Sequence, residues 1–229
     1  MNVMAVRTAL FKEGNDLAAF IIRHIPKVKN GFVIVVSSKI AALAEGRTAG
    51  AHDKERLIKK ESSWRKRILP KWWLTVRDGV AIVNAGIDDS NAEGKLVLLP
   101  KDCFKTAAAL RAKLKRHYRI RNLGVILTDS RVAPLRAGVT GVALGYAGFK
   151  GVRDYRGTKD LFGRRLEVTQ TNVADSLATA ATLLMGEESE RQPLAVIEDA
   201  PVEFAERVNR KETLISLKDD IYRDLFKRR

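Results

Sequence analysis

The chain has 229 residues, 45% of them apolar, enough to bury a substantial core as one large domain or two closely packed ones. Its single cysteine, Cys103, excludes an internal disulfide and a zinc site built on several thiolates; with no apolar window near the ~18 residues of a membrane helix and no basic-then-apolar start, a soluble cytoplasmic protein without membrane contact is expected. The net charge of +15 favours anionic partners, but it lies mainly in runs at residues 54–67, 111–121 and 207–229 that read as solvated faces, so nucleic acid is a possible partner and not the favoured one.

Asn15 and Asp16 precede a helix over residues 17–25, with Leu17, Phe20, Ile21 and Ile25 on its inner side and Pro26 as its stop. Gly31 then opens a continuous apolar strand over residues 32–36, and a run apolar on both faces marks a central strand. The strand delivers Ser37, Ser38 and Lys39 to the start of a second helix, residues 40–44. Hydroxyls, free N–H groups and an ammonium at such a junction suit an anion such as phosphate; they equally suit a serine cap beside a solvated lysine. Residues 48–71 are basic and show no clear period. Trp64, Trp72 and Trp73 stand among cations, where an indole either stacks on a base or pins a loop by cation–π contact, and the loop-pinning role is the favoured one.

Residues 76–83 read as a hairpin turning at Asp78-Gly79, and its second strand runs into Asn84-Ala85-Gly86-Ile87-Asp88-Asp89-Ser90-Asn91. A short strand at 96–99 and a basic amphipathic helix at 106–118 lead to a third apolar strand, 123–127, which ends on Thr128, Asp129 and Ser130. Asp129 either caps the next turn or offers oxygen to a hard cation. Two such clusters, each at a strand end, would share a divalent metal ion with one aspartate from each side. A glycine-punctuated strand at 139–147 follows, then a charged turn at 153–157 and Arg164 and Arg165, placed to meet anions. The last helix starts at Asn172, buries Val173, Leu177, Ala180, Ala181 and Leu184, and ends at Gly186. Residues 151–159 imitate a phosphate-binding P-loop, but the loop is too long, its Thr-Lys order is reversed, and an aspartate and two arginines fill it.

Five segments together carry a family resemblance: VVSSKIAALAEGR (35–47), NAGIDDSN (84–91), LLP (98–100), GVILTDS (124–130) and RDYRGTKDLFGRRLEVTQTNVADSLATAATLLMGE (153–187). In this order they resemble the coenzyme F420-0:L-glutamate ligases, also called γ-glutamyl ligases, over most of residues 16–197. The expected fold is α+β, with mixed parallel and antiparallel strands and packed helices across residues 1–229 and a basic helical segment at 205–229. The resemblance implies a GTP-dependent homodimeric enzyme that uses Mg²⁺ or Mn²⁺ to join L-glutamate to a carboxylate of F420-0 or a related acceptor. The acceptor would first be phosphorylated to an acyl phosphate.

The matched motifs assign metal binding and catalysis to Asp88 and Asp129, with Ser130 and Glu187 as further ligands. Ser38, Lys39, Asn84 and Asn91 are assigned to phosphate or nucleotide contact. Two other readings stand beside this one: a relative that acts on a different carboxylate, and a non-catalytic basic protein of the same fold that binds nucleotide or RNA. After its aspartate the family usually carries Thr or Ser and then a Gly-Arg pair, where this chain has Ser130, Arg131, Val132 and Ala133. An acceptor handled differently from the family's own is therefore expected.

Overall fold

Val33, Ile34, Val35 and Val36 have no exposed surface, and the protein is layered on either side of them. The computed structural model, which describes residues 1–227, runs in chain order as β1 (Asn2–Val6), α1 (Leu17–His24), β2 (Phe32–Ser37), α2 (Ser38–Ala44), β3 (Thr48–Gly50), α3 (Lys54–Glu61), β4 (Trp64–Leu69), β5 (Trp72–Arg77), β6 (Val80–Val83), β7 (Lys95–Val97), α4 (Cys103–Tyr118), β8 (Leu123–Arg131), β9 (Thr140–Ala147), β10 (Val152–Asp154), β11 (Gln170–Asn172), α5 (Val173–Met185) and β12 (Leu194–Glu198). A five-stranded sheet in the order β1-β12-β2-β8-β9 is its frame; β2 and β8 are parallel and the other pairs antiparallel. Side chains alternate along β2, so Ile34 and Val36 join α1 and α4 in one core while Val33 and Val35 join α5 in another. The expected α+β class with mixed strands is the one observed.

Local signals set the helix limits. Asp16 caps α1 by accepting from the Ala19 N–H at 3.0 Å, and Asn172 caps α5 through the Asp175 N–H at 3.0 Å. Asp102 does the same for α4 through Lys105 at 2.8 Å, which starts this helix at Cys103, ahead of the expected residue 106. Along α5 the buried stripe comprises Val173, Ala174, Leu177, Ala178, Ala181 and Met185. Leu184, expected inside, is 46% exposed, because Met185 takes the inward place in the last turn.

Strand β8 does not stop at residue 127. Leu144 bulges from β9 between the pairs Leu127–Gly145 and Thr128–Ala143; Thr128 still pairs with Ser37 of β2, and beyond it β9 alone holds Asp129, Ser130 and Arg131, since β2 has turned into α2. The apolar pattern ends before the hydrogen-bonded ladder does. Two glycines let helices press onto β9 from both sides: a Cβ at Gly141 would stand 2.5 Å from the Ala178 carbonyl oxygen of α5, and one at Gly145 would stand 2.4 Å from the Cys103 carbonyl carbon of α4.

A second group of strands stands beside this sheet, with β4, β5 and β6 antiparallel and β3 paired to β7. Leu57, Ile58, Ile87, Leu96 and Leu98 form its core. Residues 48–71, without a period in the sequence, supply β3, α3 and β4; β3 is very short and β4 almost wholly exposed, so neither alternates. The β5–β6 hairpin turns at Asp78-Gly79 as expected, both with positive φ, 51° and 81°. Lys59 and Arg67 lie 5.8 and 5.6 Å from the Trp73 ring centroid, and Trp64 packs edge-on against Phe226 at 5.3 Å, so these two indoles pin loops as expected.

The basic helix expected at residues 205–229 does not form. Among the described residues of that segment the helical structure is one 3₁₀ turn, Arg223–Phe226, and residues 228–229 lie outside the described part. The segment instead folds back over the body, held by side chains. Glu206 accepts from Arg111 at 2.9 and 3.0 Å and from Lys115 at 2.7 Å, and Glu212 accepts from the Tyr146 hydroxyl at 2.6 Å and the Gly151 N–H at 2.7 Å. Anchors at such irregular intervals leave no apolar stripe for a helix to bury. Among the described residues no helix is long and apolar enough to cross a membrane.

Candidate active site

The parallel pair β2 and β8 opens a crevice at its carboxyl end, where β2 turns into α2 and β8 continues without it. Lys39, in the first turn of α2, reaches across this opening. Its Nζ stands 2.7 Å from Asp88 Oδ2, and it donates to the Ser90 carbonyl at 2.9 Å and to Ser90 Oγ at 3.2 Å. Ser37 takes the ordinary capping role expected as the alternative, accepting from the Lys39 N–H at 3.3 Å.

Asp88 is held in place by its backbone, which exchanges hydrogen bonds of 3.0 and 2.8 Å with Val97 of β7. Its carboxylate accepts from the Ser90 N–H at 2.8 Å and the Ser90 hydroxyl at 2.9 Å. Burial pushes this carboxyl up, but the Lys39 ammonium and the Ser90 donors outweigh it and hold Asp88 below the ordinary carboxylate value.

Asp129 answers the same forces differently. Its residue surface keeps some exposure, yet the carboxyl is desolvated, and burial followed by the charge of Asp88 pushes it up to about 6 against the pull of the Ser130 N–H, 2.8 Å away, and of Ser38 and Lys39. One carboxylate is thus ionised and its neighbour titrates near neutrality. Next along β8, Ser130 donates to Glu187 Oε1 at 2.6 Å, and Glu187 follows the Gly186 that ends α5.

All eight residues singled out from the sequence, Ser38, Lys39, Asn84, Asp88, Asn91, Asp129, Ser130 and Glu187, line this one crevice, whose volume is about 850 Å³. Their side chains do not all face it in the same way. Asn84 is buried and turned into the protein, where its Oδ1 accepts from the Trp73 N–H at 2.9 Å and its Nδ2 reaches the Lys71 carbonyl at 3.4 Å. Asn91 donates to the Glu188 carbonyl at 3.3 Å and so ties its loop to the end of α5. Lys54, hidden in the sequence within a basic run, also lines the crevice and pairs with Asp89 at 2.7 Å. Nothing in its neighbours' pattern distinguishes it from the solvated lysines around it. Arg164 and Arg165 do not line the crevice, and Arg131 pairs with Asp175 at 3.2 Å. A groove of about 900 Å³ between α1, α2 and α4 carries none of the eight residues; there Lys113 faces Asp16, and Glu45 accepts from Thr106.

Among the described residues no three His, Cys, Asp or Glu side chains stand together as a ready metal cluster. The charge that balances the two aspartates is the Lys39 ammonium. In kind, the donors fit a hard divalent cation: two carboxylates that repel one another, a hydroxyl and a third carboxylate, with oxygen throughout.

Comparison with known proteins places the chain in a family. Residues 5–199 match the family model described as F420-0:Gamma-glutamyl ligase. The chain is 37% identical over 169 residues to the coenzyme F420:L-glutamate ligase of Methanococcus maripaludis, covering 73% of this chain and 67% of that protein. With the enzyme of the same name from Archaeoglobus fulgidus it shares 35% identity over an alignment of 239 positions, gaps included, that covers 96% of this chain and 94% of the other. With that of Methanopyrus kandleri the identity is 32% over an alignment of 206 positions, gaps included, that covers 81% of each chain.

Proposed function

The chain belongs to the F420-0:gamma-glutamyl ligase family, and from that premise we propose that it forms an amide between L-glutamate and a carboxylate of F420-0 or a closely related acceptor, driven by GTP. The observation that carries the reading is the meeting of Lys39, Asp88 and Asp129, from three separate segments, in one crevice.

A carboxylate resists attack by an amine because its oxygen is a poor leaving group. Transfer of the terminal phosphoryl group of GTP to that oxygen releases GDP and gives an acyl phosphate; the neutral amine of glutamate then attacks the carbonyl carbon, inorganic phosphate departs with the C–O bond pair, and the nitrogen gives up a proton to leave the amide. Lys39 and Lys54 are the cations that hold phosphate oxygens in this crevice. Asp88 and Asp129 are the residues that would hold Mg²⁺ or Mn²⁺, with Ser130 and Glu187 beside them, and the metal when bound neutralises phosphate charge. The depressed Asp88 carboxyl stays available as an anion across the physiological range, whereas Asp129 ionises more readily as positive charge enters the site.

The active unit in this reading is a homodimer. Its motivation in the chain is the tight turn carrying Leu161 and Phe162, 98% and 94% exposed although the turn is ordered by Asp160 accepting from the N–H groups of Phe162 and Arg164. The direct test incubates the protein with GTP, Mn²⁺, L-glutamate and F420-0. Glutamylated product with stoichiometric GDP and phosphate is expected; GTP left intact and no product would contradict the reading.

A further inference from the structure

Trp72 differs from the other two tryptophans. Trp64 and Trp73 are covered by Phe226 and by Lys59 and Arg67, whereas Trp72 is 53% exposed and, among the described residues, has no aromatic or cationic partner on its ring. It lines the same crevice as Lys39 and Lys54. An exposed indole is ordinarily free to adjust, but this one stands on a backbone fixed from both sides. Asn84, 4% exposed, accepts from the N–H of Trp73 and donates to the carbonyl of Lys71, the two neighbours of Trp72 in the chain. Asn84 and Ala85 both hold positive φ, 52° and 56°, and the buried Thr75 hydroxyl accepts from the Ala85 N–H at 2.8 Å to secure that turn. A strained, fully bonded support beneath one unpartnered aromatic face is the signature of a pre-organised contact surface.

We infer that Trp72 is the stacking platform for the planar ring system of a phosphate-bearing ligand whose anionic part lies toward Lys39 and Lys54, and that Asn84 is its positioning residue. This rests on the ligase reading of the site. Such a ring has two sources in that reaction, the nucleobase of GTP and the ring system of F420-0, and one set of titrations separates them.

Calorimetric titration of GTP, F420-0 and inorganic tripolyphosphate, each with Mg²⁺, into the wild type, Trp72→Phe and Trp72→Ala tests the inference. Trp72→Ala is expected to weaken one of the two ring-bearing ligands by about tenfold or more, and that ligand is the one that stacks; Trp72→Phe keeps most of the affinity, and tripolyphosphate binds all three proteins alike. Asn84→Ala alone is expected to weaken the same ligand while leaving tripolyphosphate binding unchanged, and in the Trp72→Ala background to bring no further loss; an Asn84→Ala protein with wild-type affinity for both ring-bearing ligands overturns the positioning role. Wild-type affinity of Trp72→Ala for both ring-bearing ligands overturns the inference while leaving the ligase reading in place. A wild-type protein that binds neither GTP nor F420-0 overturns both.

Discussion

Lys39 Nζ and Asp88 Oδ2 meet at 2.7 Å, and through this ion pair the first turn of α2 is tied to the loop that leaves β6. With side chains 26% and 43% exposed, the pair adds little to folding stability. Its consequence is chemical: a cation already stands beside two carboxylates that would otherwise repel each other.

Replacing Lys39 by alanine should therefore raise the KM for GTP more than that for glutamate. A lost charge-assisted contact is worth about 1.5–3 kcal/mol, or roughly one to two decades in affinity. Steady-state kinetics with each substrate varied in turn checks this, and equal effects on both substrates would count against a phosphate-holding role.

The raised carboxyl of Asp129 carries a stability cost in the metal-free protein. Its folded value, about 6, lies above the ordinary 3.8, so the unfolded chain gives up this proton first; the carboxyl's contribution is most favourable below the ordinary value, declines as pH rises toward 6, and levels off above it. Asp129→Asn removes the decline. At pH 7 the metal-free variant should be more stable than the wild type by roughly 3 kcal/mol, a difference that shrinks to about half a kcal/mol at pH 4. Thermal melts at the two pH values measure it, and equal stability at pH 7 would show that the carboxyl is not held in a desolvated place.

Much of this organisation is legible in the sequence, for reasons that can be named. Val33 to Val36 must be central because they are apolar on both faces, Asp16 and Pro26 bracket α1, and Asp78-Gly79 supplies the two positive φ angles that a tight hairpin demands. Asp88, Asp129 and Lys39 stand out as polar groups where apolar runs stop. Side-chain direction is another matter. Asn84 sits in the same motif as Asp88 yet turns inward to bind two backbone groups, and Lys54 and Trp72 reach the crevice from a stretch whose charges look alike. Asp129 lies within a strand rather than at its end because the β9 bulge keeps the ladder going past the last apolar residue. The C-terminal segment is shaped by Glu206 and Glu212 meeting distant partners, and no local pattern encodes that.

The segment after Asp129 sets a further expectation. Val132 is 51% exposed and lines the crevice at a position of the family's Gly-Arg pair, and Arg131, which also lines it, is drawn toward Asp175 at 3.2 Å, so the cation of that pair has no counterpart at its own position. The KM for F420-0 should be high, and Ala133→Arg should lower it by about tenfold. Efficient turnover of F420-0 by the wild type at low acceptor concentration, or no response to Ala133→Arg, would contradict this.

If Leu161 and Phe162 are covered by a second copy, light scattering after size exclusion should give twice the 25.5 kDa of the chain, and Phe162→Asp should shift it toward the monomer. A wild-type mass equal to one chain would contradict the dimer.

In the proposed reaction Asp88 and Asp129 form one centre for phosphoryl transfer and amide formation. Single-turnover assays of Asp88→Asn and Asp129→Asn, with near-ultraviolet circular dichroism as the control for fold, test it most directly, because each change removes a charge at nearly constant volume. Both variants are predicted to keep the wild-type spectrum and to lose at least about three decades in the rate of glutamylated product formation; wild-type-like rates in both would contradict the claim.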